Sequence, residues 1–126
     1  MPLVRIDLLR GTPPEYRAAV AETVYRTMVD VLGVPEGDRF QVIAEHDSDN
    51  LKIDRAYLGI KRSDAALIVN ITLREGRHVE TKKAFYKNIG DALHTRVGLR
   101  KEDVFVALVE TSSENWSFGN GEAQYG

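Results

Sequence analysis

Two features of this sequence could carry chemistry, and neither needs a cysteine. Proline stands at position 2, directly behind Met1. Methionine is commonly removed ahead of proline, and its loss would leave a secondary amine at the chain terminus. Unlike a lysine on a flexible stem, that amine is held by its ring and by the residues that follow, so its lone pair can be aimed. An α-amino group starts with a pKa of roughly 7.7 to 8.0, and burial or nearby cations disfavour its charged form. It could then act as a general base near neutrality, as an acid where it stays protonated, or as a nucleophile forming an imine with a carbonyl. The competing reading is an ordinary second residue leading into an edge strand.

The second feature is Arg74-Glu75-Gly76-Arg77. It ends an apolar, β-branched run and precedes a helical one, so the arginines stand near a helix N-terminus, where anions are favoured. Arg also grips a carboxylate with two parallel hydrogen bonds. A carboxylate pocket and a solvated turn salt-bridged to Glu75 or Glu80 are both open readings. Other candidates fall away. His46, His78 and His94 lack metal-ligand spacing, and there is no cysteine, so neither a metal site nor a cofactor is expected. Asp47-Ser48-Asp49-Asn50 opens like a calcium loop, but its twelfth position is Leu58 where a bidentate Glu is needed. Gly119-Asn120-Gly121 precedes no helix and reads as a turn.

The elements that must position these residues are legible in outline. Leu3 to Leu9 and Phe40 to Glu45 read as strands, and between them Thr12-Pro13-Pro14-Glu15 opens a helix with Thr12 as its cap. Tyr16, Ala19, Val20, Val24, Met28, Val31 and Leu32 recur at helical spacing, and Gly33 is a left-handed stop. Leu51 to Asp64 is an irregular excursion. Ala66 to Leu73 is a strand, Val79 to Val97 a helix with Phe85, Ile89, Ala92 and Leu93 on one face, and Val104 to Val109 a last strand.

Strand, helix, strand thus occurs twice, and the copies align without a gap at an offset of 65 (76 − 11 = 65). Glu15 meets Glu80, Gly33 meets Gly98, Asp38 meets Asp103, Phe40 meets Phe105 and Glu45 meets Glu110. Shared apolar spacing alone would not repeat these identities, so an internal duplication is expected. The fold class is α+β: a tandem β-α-β duplication with a four-stranded mixed sheet and two helices on one face. Residues 1–126 form a single domain, with repeat units about 2–50 and 66–111 and a tail at 112–126. A two-fold between the units runs their first strands antiparallel and brings Pro2 toward Arg74 and Arg77. The sheet face without helices needs another cover, most simply other subunits.

Composition bounds the partners. The chain has 126 residues, formal net charge −2 and 43% hydrophobic residues, a globular balance with no basic stripe for nucleic acid. No apolar run approaches the roughly 18 residues of a membrane span, and the start lacks a signal-peptide layout. A cytoplasmic location is expected, consistent with the absence of cysteine.

With these residues in place, the chain resembles the tautomerase superfamily over essentially its whole length, above all the branch that includes malonate semialdehyde decarboxylase. The resemblance is carried by the Met1-Pro2-Leu3 start, the Gly33-to-Phe40 segment, the Gly76-Arg77 turn and the Asn115-to-Gly121 tail. It implies a β-α-β duplication assembled as a homotrimer, with Pro2 as the catalytic proline and Arg77, joined by Arg74, as the substrate-binding arginine. It further implies that Asp38 matches the decarboxylase's catalytic-site aspartate and that Trp116 and Phe118 wall the pocket. For Asp38 a turn-capping role like that of its repeat partner Asp103 stays open, and the two aromatics could instead pack a subunit interface. The two arginines are separated by two residues, as in the cis-3-chloroacrylic acid dehalogenases, but the first helix lacks the histidine those enzymes use. The expected activity is keto-enol tautomerisation of a small carboxylate-bearing 2-oxo acid of the phenylpyruvate type. The alternatives are a malonate semialdehyde decarboxylase or hydratase activity, and a non-catalytic oligomeric binding module.

Overall fold

Alternating burial over Pro2–Leu9 makes the first strand, β1, and sends Val4, Ile6 and Leu8 into the core. The computed structural model describes residues 1–126. After β1 come α1 (Pro14–Leu32), β2 (Gln41–His46), β3 (Leu67–Arg74), α2 (Val79–Val97) and β4 (Val104–Thr111). The sheet order is β2-β1-β3-β4, with parallel outer pairs and an antiparallel central pair. Each parallel pair is bridged by its own helix, as such pairs require. Both helices lie on one face over a core that includes Val24, Met28, Leu67, Ile71, Phe85, Ile89 and Leu93. The duplicated β-α-β architecture is therefore the one the sequence implied.

The offset of 65 extends to the ends of the elements. α1 starts at 14 and α2 at 79 (79 − 14 = 65), and β1 and β3 start at 2 and 67 (67 − 2 = 65). Gly33 and Gly98 close the helices in the left-handed conformation at φ 72°, a backbone state that costs a side-chain-bearing residue energy. In the antiparallel register Arg5 faces Asn70, its own repeat partner (70 − 5 = 65), so the pseudo-two-fold passes between them.

Some local details differ from the sequence reading. Pro13, not Thr12, is the cap residue of α1, and no side chain caps that end. The Thr12 carbonyl and hydroxyl instead accept from the Arg17 guanidinium, which also pairs with Glu45 at 3.1 Å. β2 begins at Gln41, leaving Phe40 outside it, and β4 runs on to Thr111. The 51–64 excursion is irregular apart from a short turn at Tyr57–Gly59, and Arg62 gathers it by donating to the carbonyls of Asp54, Tyr57 and Ile60.

Leu3, Phe40, Val42, Phe105 and Val109 remain exposed, at 44 to 48%. Alternation along the strands, carried back to Phe40 by the Val4 N–H donating to its carbonyl at 2.9 Å, places them on the sheet face opposite the helices. No helix is long and apolar enough to cross a membrane.

Candidate active site

The antiparallel central pair places Pro2 opposite Leu73, one residue before Arg74. The start of β1 and the end of β3 therefore share one end of the sheet. The loop between α1 and β2 reaches the same place. The Met1 ammonium lies 2.7 Å from Asp38 Oδ2, with both side chains largely buried. The other carboxylate oxygen, Asp38 Oδ1, is buried and has no hydrogen-bond partner. A buried carboxylate oxygen without a partner is costly, and such atoms call for a reason.

The repeat supplies a comparison. Asp103, the counterpart of Asp38, is fully buried and satisfied at both oxygens: Ser63 N–H donates to Oδ1 and Ser63 Oγ to Oδ2, each at 2.7 Å. Asp103 thus ties the strand entry of the second unit to the chain ahead of it. Asp38 has only the terminal ammonium. The same fold position is a completed cap in one unit and a half-used carboxylate beside the chain terminus in the other.

A cavity of about 430 Å³ opens beside Pro2, lined by Pro2, Leu3, Phe40, Thr72, Thr111, Asn115, Trp116, Ser117 and Phe118. Its apolar wall is built from the tail. Trp116 Nε1 donates to Thr111 Oγ1 at 2.7 Å, which fixes the indole against the end of β4. Phe118 stacks on Trp116 at 5.8 Å between centroids and meets Phe40 at the same separation in a tilted arrangement. Such contacts suit aromatic pairs. The wall is apolar while Thr72, Thr111, Asn115 and Ser117 supply hydrogen-bonding groups, the usual make-up of a small-molecule site.

Trp116 and Phe118, picked out from sequence, therefore share a cavity with Pro2, and Asp38 sits at the preceding residue. Arg74 and Arg77 lie at the adjoining strand end but outside the walls of that cavity. Arg77 donates to the carbonyls of Leu32 and Arg74, each at 3.0 Å, instead of pairing with Glu75 or Glu80. It thereby supplies a cation to the C-terminus of α1, whose last turn has no basic residue of its own. Burial, then the charge of Arg74, hold the Arg77 guanidinium below the ordinary arginine value, with Glu110 opposing. It remains a cation all the same. Lys82 pairs with Glu110 at 2.5 Å, which holds that carboxyl below the usual range and keeps a counter-charge near the turn.

Phe40, Thr72, Thr111 and Asn115 were not singled out from sequence. Phe40 had a signal, since it closes the Gly33-to-Phe40 segment two residues past Asp38. Asn115 had one too, as the first residue of the Asn115-to-Gly121 tail, while Thr72 and Thr111 had none, because threonine on a strand is ordinary. No group of His, Asp or Glu side chains has a metal-holding arrangement.

Two family models, each described as "Tautomerase enzyme", match this sequence over residues 38–119 and residues 2–59. The probable tautomerase YusQ of Bacillus subtilis (strain 168) is 39% identical, over 98% of this chain and 98% of that protein. Malonate semialdehyde decarboxylase, whose crystal structures address its decarboxylase and hydratase activities, superposes with a TM-score of 0.92 at 35% identity, covering 98% of this chain and 95% of that one. The FG41 malonate semialdehyde decarboxylase inhibited by 3-bromopropiolate gives a TM-score of 0.91 at 38% identity, covering 98% and 93%.

Proposed function

The chain belongs to the tautomerase family, and from that membership we propose that Pro2, freed by removal of Met1, is the acid-base catalyst of keto-enol tautomerisation of a small 2-oxo acid of the phenylpyruvate type. The observation that carries this reading is the half-satisfied Asp38 carboxylate beside the chain terminus, next to a cavity walled by Trp116 and Phe118. In the ketonising direction the neighbouring carbon takes a proton from the Pro2 ammonium as the carbonyl forms, and the neutral amine left behind takes the enol oxygen's proton, which restores the ammonium. In the reverse direction the neutral amine removes the proton from that carbon. Arg77, with Arg74, holds the substrate carboxylate through its free guanidinium edge, and the aromatic wall excludes water.

The active form on this reading is a homotrimer. Exposed Leu3, Phe40, Val42, Phe105 and Val109 support it, because a sheet face with this much bare apolar surface suits burial against further copies. Arg74 and Arg77 would then complete a site that extends beyond the single-chain cavity.

A decarboxylase or hydratase activity on malonate semialdehyde is the second reading, favoured by Asp38 itself. A carboxylate beside an amine favours the protonated form. A standing ammonium suits a step in which carbon dioxide leaves and the carbon left behind takes up a proton. Assaying enol-phenylpyruvate and malonate semialdehyde side by side separates the two: faster carbon dioxide release reverses the ranking. Pro2→Ala and Arg77→Ala test the shared premise. Unaltered turnover in both variants excludes the assignment, and turnover of neither substrate by the processed protein favours a non-catalytic binding module.

A further inference from the structure

We propose that Tyr25 is a positioning residue that orients Asp38 toward the chain terminus, by pinning the Glu36-Gly37-Asp38 turn to α1. Tyr25 is a buried aromatic on α1 whose hydroxyl leaves the core to meet that turn. It accepts from the Gly37 N–H at 2.8 Å and donates to Glu36 Oε2 at 3.1 Å, so both its hydrogen-bonding functions go to the residues just before Asp38. Arg26 Nη1 donates to the other oxygen of Glu36 at 2.6 Å. The relay therefore runs in one sense, from Gly37 through Tyr25 to an ionised Glu36 held by Arg26. Gly37 has φ 88°, which lets the backbone turn sharply enough to present Asp38. Arg26 and Arg39 lie over the Tyr25 ring at 5.3 and 4.8 Å from its centre, which restrains the phenol.

The repeat separates what the fold needs from what has been added. Arg26 and Glu36 correspond to Asp91 and Lys101 (91 − 26 = 65, 101 − 36 = 65), which form an ion pair at 2.5 Å with the charges exchanged. Both units thus clamp helix to loop with a salt bridge. Tyr25 corresponds to Gly90, which has no side chain to give (90 − 25 = 65). In the second unit the aspartate is held instead by Ser63. The phenol occurs only in the unit whose aspartate faces a chain terminus. A stabilising role is already filled by the ion pair, so the additional hydrogen bonds bear on where the turn sits.

This inference rests on Pro2 being the working amine, yet it can be read without turnover. In the processed protein the Pro2 amine is titrated by NMR in wild type, Tyr25→Phe, Asp38→Asn and the double variant. The charged groups around that terminus are Asp38 from the α1–β2 loop and Arg74 and Arg77 from the end of β3; Glu22, Arg26, Glu36 and Arg39 surround the phenol. Asp38→Asn is expected to lower the midpoint. Tyr25→Phe removes both phenol hydrogen bonds and should lower it in the same direction by about half a unit, the scale of the Gly37 bond that holds the turn. It should add nothing once Asp38 is Asn, because its effect passes through that carboxylate. Turnover should fall about threefold in kcat with KM unchanged. Glu36→Gln, which leaves the Tyr25–Gly37 bond in place, is expected to shift the midpoint less than Tyr25→Phe. An unmoved midpoint in Tyr25→Phe, or an equal shift in the Asp38→Asn background, overturns the proposal. Absence of turnover in wild type with the expected titration cycle overturns the functional reading alone.

Discussion

Asp38 and Asp103 occupy one position of a repeated fold, so removing each carboxylate in turn separates a cap from a site. In Asp103→Ala, the Ser63 amide and hydroxyl both lose an ionised acceptor at 2.7 Å in a fully buried position. Hydrogen bonds to charged groups contribute roughly 1.5 to 3 kcal/mol each. Two such losses destabilise the fold by about 3 kcal/mol or more, and at roughly 4 °C per kcal/mol for a chain of this size the melting point drops by about 12 °C. Asp38→Ala also loses an ion pair, but it relieves a buried oxygen to which no protein group donates. The two effects oppose, so its melting point should stay within about 4 °C of wild type, a net change of roughly 1 kcal/mol or less. Turnover should show the reverse order, with Asp38→Ala the more damaged. The assay is thermal unfolding by calorimetry at one protomer concentration, since assembly contributes to stability, paired with turnover well below the transition. Equal destabilisation by the two substitutions would make Asp38 a cap like its partner and refute the reasoning.

Trp116→Phe keeps an aromatic wall but loses the 2.7 Å bond to Thr111; KM should rise about five-fold with kcat little changed, seen in steady-state kinetics. Arg77→Lys keeps the charge yet cannot reach the Leu32 and Arg74 carbonyls and a substrate carboxylate together. It should raise KM about ten-fold and lower stability by about 1 kcal/mol, read by kinetics and urea unfolding. Lys101 and Lys87 hold the Asp91 carboxyl at a pKa of about 2, below its ordinary 3.8. A depressed folded value means that stabilisation is present above pH 3.8 and fades as pH falls toward 2. Asp91→Asn should therefore differ from wild type in urea midpoint at pH 6, with the difference shrinking over that window; a constant difference contradicts the pairing. Val109→Asp, on the exposed sheet face, should shift sedimentation from the proposed trimer toward monomer.

Much of the architecture was legible because the duplication is written in residues with little freedom. Gly33 and Gly98 must end helices in the left-handed region, and their spacing carried the register of both units. From that spacing the two-fold followed, and with it the approach of Pro2 to Arg74 across the central strands. Less legible were contacts that depend on a side chain's direction. Thr12 had the sequence of a helix cap, but Arg17 folds back onto its carbonyl and hydroxyl, and the cap position passes to Pro13. Arg77 read either as a carboxylate clamp or as part of a turn salt-bridged to Glu75 or Glu80, and neither reading held the contact by which part of its fork closes the end of α1, 45 residues away in sequence. Tyr25 carried no signal of its own in the sequence, lying outside the apolar spacing of the first helix; its hydroxyl matters only because the loop after Gly33 returns over it. The unpaired oxygen of Asp38 has no sequence signature at all.

The central claim is that the Pro2 nitrogen does the chemistry once Met1 has left. Its most direct test is turnover of enol-phenylpyruvate by two preparations of the same chain, one fully processed and one retaining Met1, with intact mass identifying each. Activity is expected to follow the processed form, the Met1-bearing form being lower by a factor of about 100 or more, the scale of a lost acid-base catalyst. Equal turnover by a preparation whose mass shows Met1 in place would contradict the claim, because there the proline nitrogen is an amide with no basic lone pair.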